Sequence, residues 1–177
     1  MVYATVKANY DQDNRWVYNL VCLQSAIAIC YYFHELFSSE KKKFVIKCLI
    51  GINVFYFLVN DIILGRFFLF DSIGYAILSA SVSVMGFFYF YDVLKNVRIR
   101  QFDFNFYLVS GYLIYFLVSF AIFLTYHNLT NRILDTYTDE ERKLLTLLWG
   151  VHNVLLFLSA MITLMGSVWI IYRNRSF

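Results

Sequence analysis

Residues 144–172 read LLTLLWGVHNVLLFLSAMITLMGSVWIIY and contain no aspartate, glutamate, lysine or arginine. Roughly 20 mainly apolar residues are enough for a helix to cross the 30 Å hydrocarbon core of a bilayer. The whole chain of 177 residues shares this character, with 60% hydrophobic residues, 15% charged residues and no proline. Because a soluble domain of this size could not bury so much apolar surface, the sequence predicts an integral membrane protein.

The same length criterion predicts five membrane-spanning helices. The expected fold is therefore all-α, a polytopic transmembrane bundle in a single membrane domain. The predicted spans cover residues 16–37, 44–65, 72–94, 106–127 and 144–172. The end of the second span is open, because Asn60 and Asp61 precede Ile62. This helix either ends near Val59 or carries a carboxylate into the membrane.

Lysine and arginine favour the cytoplasmic side of a membrane, and about nine of them fall on one side of the predicted spans against about six on the other. This distribution predicts an outer amino terminus, a cytoplasmic carboxyl terminus and a location in the inner (plasma) membrane. The inner basic face comprises Lys41, Lys42, Lys43, Arg98 and Arg100. Such a face is typical of binding to anionic lipid headgroups, so the basic residues do not require a nucleic acid partner.

An aromatic helix end at residues 31–36 is followed by a basic turn at 41–43. A similar aromatic helix end at residues 89–94 is followed by a basic turn at 98–100. The spacing predicts a parallel two-helix repeat. The alternative is convergence, because aromatic helix ends and basic loops recur in inner membrane proteins.

Small residues recur every three or four positions along the third span. This seam comprises Ser72, Ala76, Ser79, Ser83 and Gly86. Small side chains let helices approach closely in lipid, so the seam predicts a packing face or, in a homo-oligomer, the wall of a pore. A shorter set in the fifth span predicts that this helix also lies inside the bundle, whereas the bulkier second and fourth spans are expected to face lipid.

A candidate polar cluster lies in the outer half of the predicted bundle. Its members are Asn60, Asp61, His127, His152 and Asn153. Ionisable groups within a membrane are costly and suggest function, and imidazole titrates near neutral pH. Pairing of His152 with Asp61 would therefore form a proton- or ion-sensitive switch. In the alternative, His152 and Asn153 bond to neighbouring helices while Asp61 pairs with Arg66.

Sequence signatures of catalysis are absent. The chain contains no HExxH, GxxxxGK[ST], GxSxG or CxxC motif, which are the common patterns for metal, phosphate, acyl-transfer and redox sites. We therefore expect no catalytic residue, no metal ion and no cofactor. The three cysteines lie within apolar runs and are interpreted as small hydrophobic residues.

Two aromatic segments carry a family resemblance, GFFYFYDVLKN at 86–96 and FYLVSGYLIYF at 106–116. Over residues 80–125 the chain resembles the multi-helix membrane input regions of sensor histidine kinases from Bacteroidetes-type bacteria. The resemblance implies a membrane module without the kinase, either stand-alone or truncated, and it carries no catalytic residue.

Together these features lead us to expect a sensory or partner-binding module without enzymatic activity. Its expected partners are the lipid bilayer and either further copies of itself or a membrane or cytoplasmic protein. The alternative function is a homo-oligomeric ion channel or a membrane-disrupting effector.

Overall fold

The fold is known from a computed structural model that describes residues 15–95, 103–132 and 138–175. These residues form five long α-helices, and no strand occurs among them. The helices are α1 (Arg15–Leu36), α2 (Glu40–Phe57), α3 (Ser72–Lys95), α4 (Phe104–Arg132) and α5 (Asp139–Arg175). Each is long and apolar enough to cross a membrane. The predicted all-α fold with five spans is therefore confirmed, and the chain is a multi-pass membrane protein by the length and composition of its helices.

A single π-helical turn, Leu58–Ile63, extends α2. Its wider hydrogen bonding is visible where the Leu64 N–H donates to the Val59 carbonyl at 2.9 Å, five residues back. Gly65 then adopts a φ of 67°, a conformation that glycine accepts without the steric cost of a Cβ. The helix therefore does not end near Val59, and Asp61 is carried within its last turn.

Helix α5 begins five residues before the predicted span because its start is capped. The Thr138 N–H donates to Glu141 Oε2 at 2.9 Å, and the Glu141 N–H donates to Thr138 Oγ1 at 3.3 Å. This reciprocal pair is a capping box, which satisfies backbone donors at a helix start. The cap adds a charged turn to the apolar run.

The chain divides into two compact units, one up to Ser81 and one from Val82 onward. The first contains α1, α2, the π turn and the start of α3, and the second contains the rest of α3 with α4 and α5. Because the division falls inside α3, it does not follow the predicted two-helix repeat. The repeat, the single membrane domain and the orientation of the termini stay predictions.

In the second unit, α4 and α5 pack as antiparallel neighbours through small residues. A Cβ added to Gly111 would lie 2.9 Å from the Ser159 carbonyl oxygen and 3.2 Å from Thr163 Oγ1. One turn away the roles reverse, and Tyr107 of α4 lies directly over Gly166 of α5. Helices in lipid associate where small side chains permit such close approach.

Burial differs strongly among the helices. In their most apolar 18-residue stretches, 56% of the residues of α3 are buried but only 11% of those of α5. The expectation that α3 lies inside is met, whereas α5 is the most exposed helix. The small residues of α5 form only a narrow stripe against α4, so the bulky residues around the rest of its circumference remain on the surface.

The contact at Gly111 gives a test of the α4–α5 packing. We expect Gly111→Ala to lower the free energy of unfolding by about 1–3 kcal/mol, because the new methyl group meets backbone rather than a movable side chain. The matched control is Gly150→Ala in α5, where a Cβ has no atom within 4 Å; it should be neutral or stabilise by up to about 1 kcal/mol. Reversible unfolding in detergent followed by circular dichroism measures both, and equal effects would contradict the packing.

Candidate functional site

The first unit encloses a small cavity among α1, α2, the π turn and the start of α3. Its volume is about 20 Å³, which is room for roughly one water molecule. Six polar or thiol side chains line it: Asn19, Cys22, Asn53, Tyr56, Asp61 and Asp71. Leu23, Ala26, Phe57 and Gly74 complete the lining, so the cavity has a mainly apolar surface with several polar groups at which a water molecule could bond.

Asn19 joins α1 to the segment between the π turn and α3. Its Nδ2 donates to the carbonyls of Phe67 and Leu69 at 2.9 and 2.7 Å, and its Oδ1 accepts the Asp71 N–H at 3.2 Å. The side chain is only 1% exposed. The buried amide of Asn19 therefore fixes the backbone of residues 67–71, which positions Asp71 at the cavity.

Asp71 caps the start of α3. Its Oδ1 accepts the Gly74 N–H at 2.9 Å and the Tyr56 hydroxyl at 3.0 Å. Oδ2 lies against Gly74, where a Cβ would collide with it. The positive end of the helix and these two donors stabilise the charge of this carboxylate.

Asp61 has much less support. It is 2% exposed, and its Oδ1 accepts one bond, from Asn60 Nδ2 at 3.0 Å. Its Oδ2 is buried and has no hydrogen-bond partner among the residues that the structure describes. Within the same residues no ion pair joins Asp61 to Arg66, which is exposed.

His152 occupies a separate site in the second unit. Its Nε2 lies 3.1 Å from the Tyr115 hydroxyl, and its Nδ1 lies 3.3 Å from Ser119 Oγ. The rings of Phe123 and Trp149 pack against the imidazole at centroid distances of 5.0 and 5.3 Å. A hydroxyl can donate or accept, so this arrangement satisfies either neutral tautomer and links α5 to α4.

The predicted polar cluster is thus distributed over both units. Asn60 and Asp61 lie together in the first unit, and His152 lies in the second with half-buried His127 and exposed Asn153. The hydrogen bonds of His152 to α4 correspond to the alternative in which it bonds to a neighbouring helix. The switch formed by His152 and Asp61 stays a prediction.

The other predicted residues fall into two groups. All five members of the α3 seam are buried: Ser72, Ala76, Ser79, Ser83 and Gly86. On the basic face Lys41 is exposed, Lys43 pairs with Glu40 at 3.3 Å, and Lys42 lies 5.1 Å over the ring of Phe37. Arg98 and Arg100 lie outside the described residues.

Sequence reasoning missed Asn19, Tyr56 and Asp71 as parts of a site. Asp71 carried a usable signal, because aspartate directly before an apolar helical run is a typical N-cap. Asn19 and Tyr56 carried none, since their partners are distant in sequence. Among the described residues no group of three or more histidine, cysteine, aspartate or glutamate side chains could hold a metal ion.

The role of Asn19 can be tested by removing its amide. We expect Asn19→Leu to lower the free energy of unfolding by about 3 kcal/mol, because three hydrogen bonds are lost and the released backbone groups stay partly buried. The matched control on the same helix is Gln24→Leu at an exposed position, which should change stability by less than about 0.5 kcal/mol. Thermal unfolding in detergent compares the two, and a neutral Asn19→Leu would refute the role.

Comparison of the chain with known proteins gives no match to a family model, to a curated protein or to a solved structure. The resemblance of residues 80–125 to the input regions of sensor kinases therefore stays a prediction.

Proposed function

We propose that the chain is a sensory or partner-binding module of the inner membrane, without catalytic activity, in which α5 relays a signal or an assembly change to the cytoplasm. The observation that carries the proposal is the length of α5. It is one uninterrupted helix of 37 residues, which corresponds to about 55 Å at 1.5 Å per residue.

Tilting alone does not accommodate this helix. Its uncharged run, residues 144–172, is about 43 Å long, whereas the hydrocarbon core measures about 30 Å and helices rarely tilt beyond about 40°. A tilt near 45° would be needed to hide the whole run. The helix therefore extends beyond the hydrocarbon core at one end. Such an extension is needed if the helix is to transmit movement out of the membrane.

Helix α5 is also attached to the bundle in a manner suited to a relay. Its contacts with α4 include the hydrogen bonds and ring contacts of His152 and the close approaches at Ser159 and Gly166. Most of its remaining surface is exposed, including Leu147, Phe157 and Met165. Within the described part of the chain, α5 thus packs against α4 along a narrow seam, and its other faces are left to lipid or a partner.

The burial of the α3 seam weighs against the channel alternative. The wall of a pore needs polar residues that face a water-filled channel. In this chain the serines of α3 are the candidates for such a wall. Ser79 and Ser83 are 0% and 5% exposed within one chain. Their burial supports helix packing, because small side chains let helices approach closely in lipid.

The relay can be tested with two adjacent substitutions. We expect His152→Leu to alter the mobility of a spin label attached at Tyr172→Cys, because loss of the bonds to Tyr115 and Ser119 frees α5 at its anchor. The label is placed in a variant whose native cysteines are replaced, reconstituted in lipid nanodiscs. Electron paramagnetic resonance then reports on the far end of the helix, about 30 Å away at 1.5 Å per residue.

The matched control is Asn153→Leu, one residue further along α5 and exposed. It should leave the label unchanged. If His152→Leu leaves the spectrum unaltered in a folded protein, or if both substitutions alter it equally, the relay is refuted.

The channel alternative makes a different prediction for α3. In nanodiscs a water-soluble thiol reagent should not label Ser79→Cys or Ser83→Cys, whereas it should label Ser38→Cys, which is exposed in the α1–α2 turn. Rapid labelling of the α3 positions together with a ring-shaped oligomer would refute the proposed function in favour of a pore.

A further inference from the structure

The buried carboxylate of Asp61 lacks a counter-charge. No lysine, arginine or histidine lines the cavity that it faces, and its Oδ2 has no hydrogen-bond partner among the described residues. An ionised carboxylate in an apolar interior carries a cost of several kcal/mol or more unless an opposite charge accompanies it. Asp61 must therefore either hold a proton or be accompanied by a cation, and the described side chains that line the cavity supply no cation.

The surroundings of Asp61 add negative potential. It lies in the last turn of the helix formed by α2 and the π turn, and the carboxyl end of a helix carries about half a negative charge. Asp71 lines the same cavity, although the Tyr56 hydroxyl and the Gly74 N–H bond to its Oδ1. These donors stabilise the charge of Asp71, whereas Asp61 accepts one hydrogen bond among the described residues, from Asn60 Nδ2.

The size and lining of the cavity restrict what can restore the balance. With about 20 Å³ it admits one water-sized particle. Mg²⁺ usually retains several waters and Ca²⁺ takes six to eight oxygen ligands, so a divalent ion does not fit. Asn53 donates its Nδ2 to the Leu49 carbonyl and to Ser81 Oγ at 2.8 and 3.0 Å, which leaves its amide oxygen as an acceptor.

We propose that this cavity binds one dehydrated sodium ion, held by Asp61 Oδ2 and by the neutral oxygens around it. The interrupted end of a membrane helix is a setting in which such ions bind, because freed backbone carbonyls and the helix end face the cation. Here Asp61, in the π turn at the end of the helix, lines the cavity. Sodium binding would hold α2 and the start of α3 together, and it does not depend on the relay through α5.

The test uses the full chain in detergent, free of sodium and at constant ionic strength in choline chloride. We expect replacement of choline by sodium to raise the unfolding midpoint by about 3–6 °C once sodium exceeds its dissociation constant tenfold. Potassium should raise it much less, because the larger ion does not fit. Asp61→Asn should abolish the sodium response, and the control Glu140→Gln, at an exposed position in the first turn of α5, should retain it.

Direct binding provides the second measurement. Wild-type protein should bind radioactive sodium at about one ion per chain, and Asp61→Asn should bind none while keeping its helical circular dichroism. If Asp61→Asn does not fold, Tyr56→Phe serves instead, with sodium affinity expected to fall several-fold while the cavity remains.

Two results would overturn the proposal. The first is a midpoint that responds equally to sodium, potassium and choline in the wild type. The second is a midpoint that ignores sodium but rises on acidification in the wild type and not in Asp61→Asn, which would identify a proton as the occupant. The titratable groups that line the cavity with Asp61 are Asp71, Tyr56 and Cys22. Of these, only the carboxylate of Asp71 can take up a proton on acidification, so the acidification is repeated with Asp71→Asn.

Discussion

The hydrocarbon core of the membrane cannot hydrogen-bond to the protein, and the rest of the structure follows from this constraint. Backbone groups must be satisfied within each segment, which a continuous helix achieves. Polar side chains face the same requirement. Asn19 uses both ends of its amide on the chain, and His152 places both ring nitrogens against hydroxyls of α4.

Lipid also removes the usual reason for helices to associate, since lipid tails are as apolar as leucine. Association then depends on close approach and on a few hydrogen bonds. Both occur between α4 and α5, where Gly111 meets Ser159 and Tyr107 covers Gly166. The same few contacts explain why a helix as long as α5 is held along one line and otherwise lies at the surface of the chain.

The five helices could be predicted from the sequence because the length of an apolar run is itself the physical criterion for spanning. The cavity could not be predicted, because Asn19 bonds to carbonyls 48 and 50 residues away. The exposure of α5 was missed for another reason. Its small residues indicated a packing face correctly, but the sequence does not show how narrow that face is. The polar cluster is inferred from depth in the membrane, and its members belong to two units, so their proximity stays a prediction.

The π turn at Leu58–Ile63 makes the position of Asp61 sensitive to chain length. Each residue of a regular helix turns the next by about 100°, so a chain one residue shorter in this turn would rotate Asp61 away from the cavity. The carboxylate would then face lipid or α2's own exposed side, where Ile62 and Ile63 now lie. The position of the carboxylate thus depends on the number of residues in one turn as well as on their chemistry.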